Sequence, residues 1–300
     1  MLNFKKKIQM KKYIILSLVI GSLSACFVDT IQPDELIGYQ KKMVVNGVFT
    51  AGEGLAIELT TSEASIDSTF PRLIKDANVT LITTSGNVSM SYNVLSENYI
   101  TGTALMSGES VALKIEHPSF PNVNSVVRFP VNINAYGVLI ENGGIDTSGK
   151  KGDLLQVTFN DEAGKDNFYK INVYYMNTTL NQWIPINFDK RDPSLAEYNS
   201  YLLNDAGVLF SDELFNGNSK TISIVTTSGL VSSNPGDKYL IELSSITKDY
   251  FSYYRSLQRA QDAKEISFQG GYNNAVVIHS NIVNGLGILG ATTQNNIVLK

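Results

Sequence analysis

The chain has 300 residues, 43% of them hydrophobic, with 24 Lys and Arg against 28 Asp and Glu and a net charge of −4. That length suits one large or two small domains with a substantial core. Five lysines (Lys5, Lys6, Lys7, Lys11, Lys12) stand before Tyr13, and removing them from 24 leaves 19 basic against 28 acidic groups, a balance of −9 that argues against a nucleic-acid or polybasic membrane-binding surface.

At the start, Lys11-Lys12 precedes the apolar run Tyr13 to Ile20, then Gly21, Ser22 and the tetrapeptide Leu23-Ser24-Ala25-Cys26. A basic region, a short apolar stretch and small residues before a cut are the parts of a bacterial secretory signal. The run is too short for a spanning helix, which needs about 20 apolar residues. Cys26 is the single cysteine, so the chain contains no internal disulfide and its stability must come from the core. Leu23, Ser24, Ala25 and Cys26 resemble the lipobox of bacterial lipoproteins. That resemblance implies cleavage by signal peptidase II before Cys26, a diacylglycerol on its sulfur and an acyl chain such as palmitate on its new amino group. Two or three chains, at about 0.8 kcal/mol per buried CH₂, give stable anchoring. Residues 1–25 are therefore expected as a signal peptide and 26–40 as a tether.

From Met43 the sequence changes to short β-rich runs separated by Gly, Asn, Asp and Ser, the pattern of antiparallel sheets. Strands are predicted at Met43 to Phe49, Leu55 to Thr61, Asn78 to Thr83, Val88 to Leu95 and Ser110 to Glu116. The run Pro118 to Asn134 carries Pro118, Pro121 and Pro130 and reads as a domain junction, because proline interrupts sheet ladders. A second series is predicted at Ala135 to Glu141, Leu154 to Asn160, Phe168 to Met176, Trp183 to Phe188, Thr221 to Thr226 and Tyr239 to Leu243. One amphipathic helix is predicted near 247–261, with Thr247 as N-cap and Tyr250, Tyr253, Tyr254 and Leu257 as its apolar stripe. The expected fold class is all-β, mainly antiparallel, with two sandwich-like domains at 41–130 and 131–300.

Few residues suggest chemistry. The two histidines, His117 and His279, lie far apart, and there is no His-Glu-x-x-His, no Gly-x-Ser-x-Gly and no calcium-loop spacing. No metal, cofactor or catalytic residue is expected. The acids Asp161-Glu162, Asp205 and Asp212-Glu213 would serve glycoside hydrolysis only if two of them faced one cleft. The sole tryptophan, Trp183 in Asn181-Gln182-Trp183-Ile184-Pro185, is either a core residue or a contact residue for a glycan or protein.

The closing stretch Ser280-Asn281-Ile282-Val283-Asn284-Gly285-Leu286-Gly287-Ile288-Leu289-Gly290 resembles the ending of the Bacteroidota lipoprotein family catalogued as domain of unknown function 4249, S-N-I-x-N-G-x-G-I-F-G. Leu289 replaces the more common Phe. Val45-Asn46-Gly47, Asp76-Ala77-x-Val79-x-Leu81, Phe210-Ser211-Asp212 with Phe215-Asn216-Gly217, and Leu243-Ser244-Ser245-Ile246 agree as well. The resemblance implies an outer-membrane lipoprotein, held to the bilayer through acylated Cys26 and often encoded beside TonB-dependent transporters. It implies no reaction. A non-enzymatic accessory role with a transporter as partner is expected, with surface glycan or ligand binding as the alternative and hydrolysis a more remote one. Asn284-Gly285 and Gly287 permit positive φ or close backbone approach, so the stretch reads as a turn or as a glycine-rich strand packed under a neighbour.

Overall fold

The computed structural model describes residues 40–63, 70–146, 148–195, 207–227, 238–268 and 276–300. The expected signal at 1–25, the lipobox with Cys26 and nearly all of the tether lie outside these residues, as does Asp205. Contacts group Lys41–Lys300 as one unit.

The fold is all-β and mostly antiparallel. Seven strands, β1 (Met43–Thr50), β2 (Gly54–Thr61), β3 (Asn78–Thr83), β4 (Gly86–Asn93), β5 (Asn98–Ala104), β6 (Ser110–His117) and β7 (Phe120–Arg128), precede β8 (Ala135–Ile145), β9 (Lys151–Asn160) and β10 (Phe168–Asn177). Then come β11 (Gln182–Pro185), β12 (Asp189–Lys190), β13 (Val208–Ser211), β14 (Ser219–Thr227), β15 (Tyr239–Ile246), helix α1 (Lys248–Phe268) and β16 (Leu286–Leu299). A twelve-stranded sheet runs β11-β10-β15-β16-β1-β2-β5-β4-β3-β6-β7, with β13 on β10, and a four-stranded sheet runs β12-β14-β9-β8.

Alternation decides which face each strand buries. In β1 the residues Met43, Val45 and Phe49 point inward, and in β6 Val111, Leu113 and Ile115 do so. These side chains meet Leu55, Ile57, Leu81, Val123 and Phe129 in a first core. Leu155, Val157, Phe159, Tyr169, Ile171, Ile222, Ile224, Tyr239 and Ile241 form a second. Closing-segment residues Ile282, Leu289 and Ala291 belong to the first core, and Leu299 at the far end of the same strand belongs to the second.

The link is β16, which pairs in parallel with β1 from Val44↔Leu286 to Thr50↔Thr292 and antiparallel with β15 from Ile246↔Thr292 to Tyr239↔Leu299. It enters one half of the unit and leaves through the other. An isolated bridge, Asn124↔Val283, also ties β7 to the segment leading into β16.

Three local outcomes differ from the sequence reading. Phe120–Arg128, inside the run expected to be a junction, is a strand: β7 ends the sheet order, and Pro121 is exposed near its start, where a missing N–H breaks no central ladder. The strand expected from Trp183 to Phe188 stops at Pro185 as β11, and a separate two-residue strand, β12, begins only at Asp189. Helix α1 runs past residue 261 because Ala263, Lys264 and Glu265 continue with good helix formers. Its buried contacts come from Tyr250 and Phe251, with Tyr254 packed beside them, against Leu209, Ile246, Val48 and Phe168.

Candidate functional site

The closing motif lies where α1 meets β16. Thr247 caps the helix, its hydroxyl accepting from Tyr250 N at 3.3 Å. In the first turn, Asp249 receives His279 Nε2 at 2.8 Å and Asn281 Nδ2 at 3.2 Å. Asn281 Nδ2 also donates to Leu289 O at 2.8 Å, its Oδ1 accepts from Leu289 N at 2.9 Å, and its own carbonyl accepts from Ser125 Oγ at 3.0 Å. Ile282 N bonds Ser280 Oγ, and Asn284 takes φ 61 while its amide reaches Asn122 O at 3.1 Å. A side chain at Gly285 would press on Met43 O, and one at Gly290 would crowd the Tyr250 ring. The motif residues thus hold backbone to backbone. Ser256 Oγ, the hydroxyl beside His279, bonds the backbone of His279 and Tyr253, so it props this segment.

The stretch Phe210 to Gly217, the second pattern singled out in the sequence, closes a polar nest around Tyr169. Asp161 accepts from Tyr169 Oη through one oxygen and from Gly217 N at 2.7 Å through the other. Asp212 accepts from Asn167 N at 3.0 Å and Nδ2 at 3.3 Å. Burial, then the bond to Asp161, pushes the Tyr169 phenol far above its ordinary range, and burial also raises the Asp212 carboxyl. Tyr169, Phe159, Phe210 and Phe215 surround these groups with rings 5.0–6.5 Å apart. Both aspartates are therefore occupied by neutral donors. A cleft of about 640 Å³ opens beside them, lined by Arg128 to Asn134, the turn Asn160 to Tyr169 and Ser245 to Lys248. Its charges are mixed, with Lys165 paired to Glu162 and Lys248 to Asp166.

Each histidine has its own aspartate. His117 Nε2 lies 3.1 Å from Asp76 Oδ1 while its Nδ1 accepts from Ser119 N. Among the described residues no group of three or more His, Cys, Asp or Glu side chains is placed to hold a metal ion.

Two surface features stand out. Trp183 is half-buried on β11, an end strand of the large sheet, opposite Met176. On β8, the end strand of the small sheet, Tyr136, Val138 and Ile140 are 64%, 47% and 43% exposed, while Leu139 between them packs on the second core. Sequence reading identified this strand but not its bare apolar face. The signal was there: Ala135-Tyr136-Gly137-Val138-Leu139-Ile140 is apolar on both faces, and a strand with only one covered face leaves the other exposed.

Among the described residues, no helix is long and apolar enough to cross a membrane. No curated protein matches the chain. Among solved structures it is similar to a Corynebacterium diphtheriae protein described as a "putative membrane anchored protein", at 9% identity and a TM-score of 0.20 over 82% of this chain. The chain spans 59% of that protein's length. The family model described as domain of unknown function, DUF4249, matches residues 29–297, which contain the capped β16 edge and the Tyr169 nest, and the chain belongs to that family.

Proposed function

We propose that this protein is a lipoprotein of the outer membrane, anchored through Cys26, that works by docking a membrane partner rather than by catalysis. The observation that carries the reading is the row Tyr136, Val138 and Ile140 on β8. An end strand offers unpaired backbone N–H and C=O groups, and side chains on alternate positions supply the pockets and anchors that strand addition uses. A partially exposed tyrosine with two aliphatic neighbours is the composition of an interface centre. Asp161, Asp212 and the closing motif are occupied by the Tyr169 phenol and by backbone groups, whereas the apolar row on β8 faces outward. An outer-membrane transporter is the partner this reading names.

The test is gentle detergent extraction of the full lipoprotein from its native envelope, affinity purification and mass spectrometry. Recovery of a transporter at near-equal amounts is the expected result. Recovery of the lipoprotein alone, with specific binding on a glycan array, overturns it in favour of a ligand-binding role, for which the half-buried Trp183 is the supporting observation.

A further inference from the structure

Strand directions place one set of loops at a single end of the first seven strands. β1 starts there at Met43, paired with Thr61 at the end of β2. β5 starts beside the end of β4 (Asn93↔Asn98), β3 starts beside the end of β6 (Asn78↔Glu116), and β16 starts beside Val44. This is therefore the end at which the chain enters the fold from Cys26. Two connections at this end expose large apolar side chains: Phe70, between β2 and β3, is 89% exposed, and Val94 and Leu95, in the β4–β5 turn, are 76% and 97% exposed. The turn is fixed rather than loose, because Asn93 Oδ1 accepts from Leu95 N at 2.8 Å and Ser96 N at 3.1 Å.

We infer that Phe70, Val94 and Leu95 form a bilayer-contacting end that seats the first β half on the membrane surface. The inference rests on lipidation at Cys26. Between Cys26 and Lys41 run 14 residues, whose covalent length of at most about 50 Å limits how far a lipid on Cys26 can lie from this end. Exposed Phe, Val and Leu are the residues that enter the acyl boundary. The cations here are interspersed with acids: Lys41 is paired with Glu63, Lys75 lies over the Tyr92 ring, and Lys42 and Arg72 share this end with Asp76 and Glu97. The contact is apolar, and its occupant is the lipid of the membrane that carries the anchor.

The fold contains its own control. Leu180 is 59% exposed on the β10–β11 turn, which Asn177 Oδ1 fixes in the same way through Thr179 N and Leu180 N at 3.0 Å. That turn lies at the opposite end, since β10 ends beside Tyr239, which pairs with Leu299 at the end of β16.

The experiment uses the full lipidated chain, reconstituted in vesicles of phosphatidylethanolamine and phosphatidylglycerol, carrying Leu95→Cys or Leu180→Cys labelled with an environment-sensitive maleimide dye. Acylated Cys26 does not react with the dye. The expected result is quenching at residue 95 by lipids brominated about 5–10 Å below the headgroups, a blue shift of its emission, persistence of both in high salt, and no quenching at residue 180. Palmitate incorporated at Cys26 with residue 95 unquenched, or with both sites quenched alike, overturns the inference and leaves the anchor standing. A blue shift at residue 95 without lipid quenching assigns the tips to a protein contact and also overturns it. Failure of palmitate incorporation, with Cys26 reacting with the dye, overturns the anchor and this inference with it.

Discussion

The side-chain amide of Asn281 bonds both backbone polar groups of Leu289, donating to its carbonyl at 2.8 Å and accepting from its N–H at 2.9 Å. The reason lies in the register. β16 has β1 on one side from Leu286 to Thr292, but β15 joins its other side only from Thr292 onward. At Leu289, which is fully buried, that second edge has no strand neighbour among the described residues, and Asn281 stands in for one. Asn281→Ala should leave two buried backbone groups unpaired and cost about 3 kcal/mol, since each such group costs about 1–3 kcal/mol. Asn281→Asp keeps the acceptor and loses the donor, so urea denaturation should place it between wild type and alanine. Equal stability of all three would contradict the capping role.

A similar contrast separates two glycines. Gly287 takes φ +101, and a Cβ there would lie 2.0 Å from Val45 O, whereas Gly52 takes φ +82 with nothing within 4 Å. Both positions disfavour a side chain by about 1–2 kcal/mol for the backbone alone. Only Gly287 adds a clash with an immovable backbone oxygen inside the β1–β16 pairing. Gly52→Ala should therefore lower the melting temperature by a few degrees, and Gly287→Ala should prevent the cooperative transition or lower it far more.

These two positions show what sequence carries and what it omits. The inward alternation of Met43, Val45 and Phe49, or of Val111, Leu113 and Ile115, is written in the order of the residues, and so the strands were legible. The glycine and asparagine content of 281–290 was legible as a need for tight backbone, because Asn284 and Gly287 both take positive φ. Its partners were not, since Met43 becomes a neighbour only through the parallel pairing of β16 with β1, and Asn122 only through the bridge from β7 to Val283. β7 was misread because Pro121 looks like a break until the strand is known to lie at the end of a sheet. The exposed row on β8 was hidden for the same reason: burial of a face depends on what the sheet packs against.

Asp212 gives a pH test. Its folded carboxyl is raised above the ordinary value of 3.8, first by burial and also by the neighbouring Asp161 charge, with the Asn167 bonds opposing. A carboxyl raised on folding contributes stability below its unfolded value, and that contribution is lost as pH rises through the folded one. Asp212→Asn keeps an acceptor for Asn167 and removes the titration. Thermal unfolding from pH 3 to pH 7 should show wild type losing stability relative to Asp212→Asn as pH rises from about 4. A constant difference would mean that Asp212 titrates alike in both states.

The docking reading makes the most demanding prediction, because it must be separated from simple damage to the fold. Val138 and Tyr136 point outward from β8 while Leu139 packs on the second core, so the outward pair can be changed without touching that core. Val138→Asp places a charge where a partner would have to desolvate it, a cost of several kcal/mol at a buried interface. Recovery of a co-purifying transporter should fall at least about tenfold, which corresponds to 1.4 kcal/mol, with melting temperature and palmitate incorporation unchanged. Tyr136→Ser should weaken recovery less, since it removes area without adding charge. Trp183→Ala on β11 should leave recovery intact. If Trp183→Ala abolishes recovery and Val138→Asp does not, the contact lies on the β11 edge and the row on β8 is not the docking face.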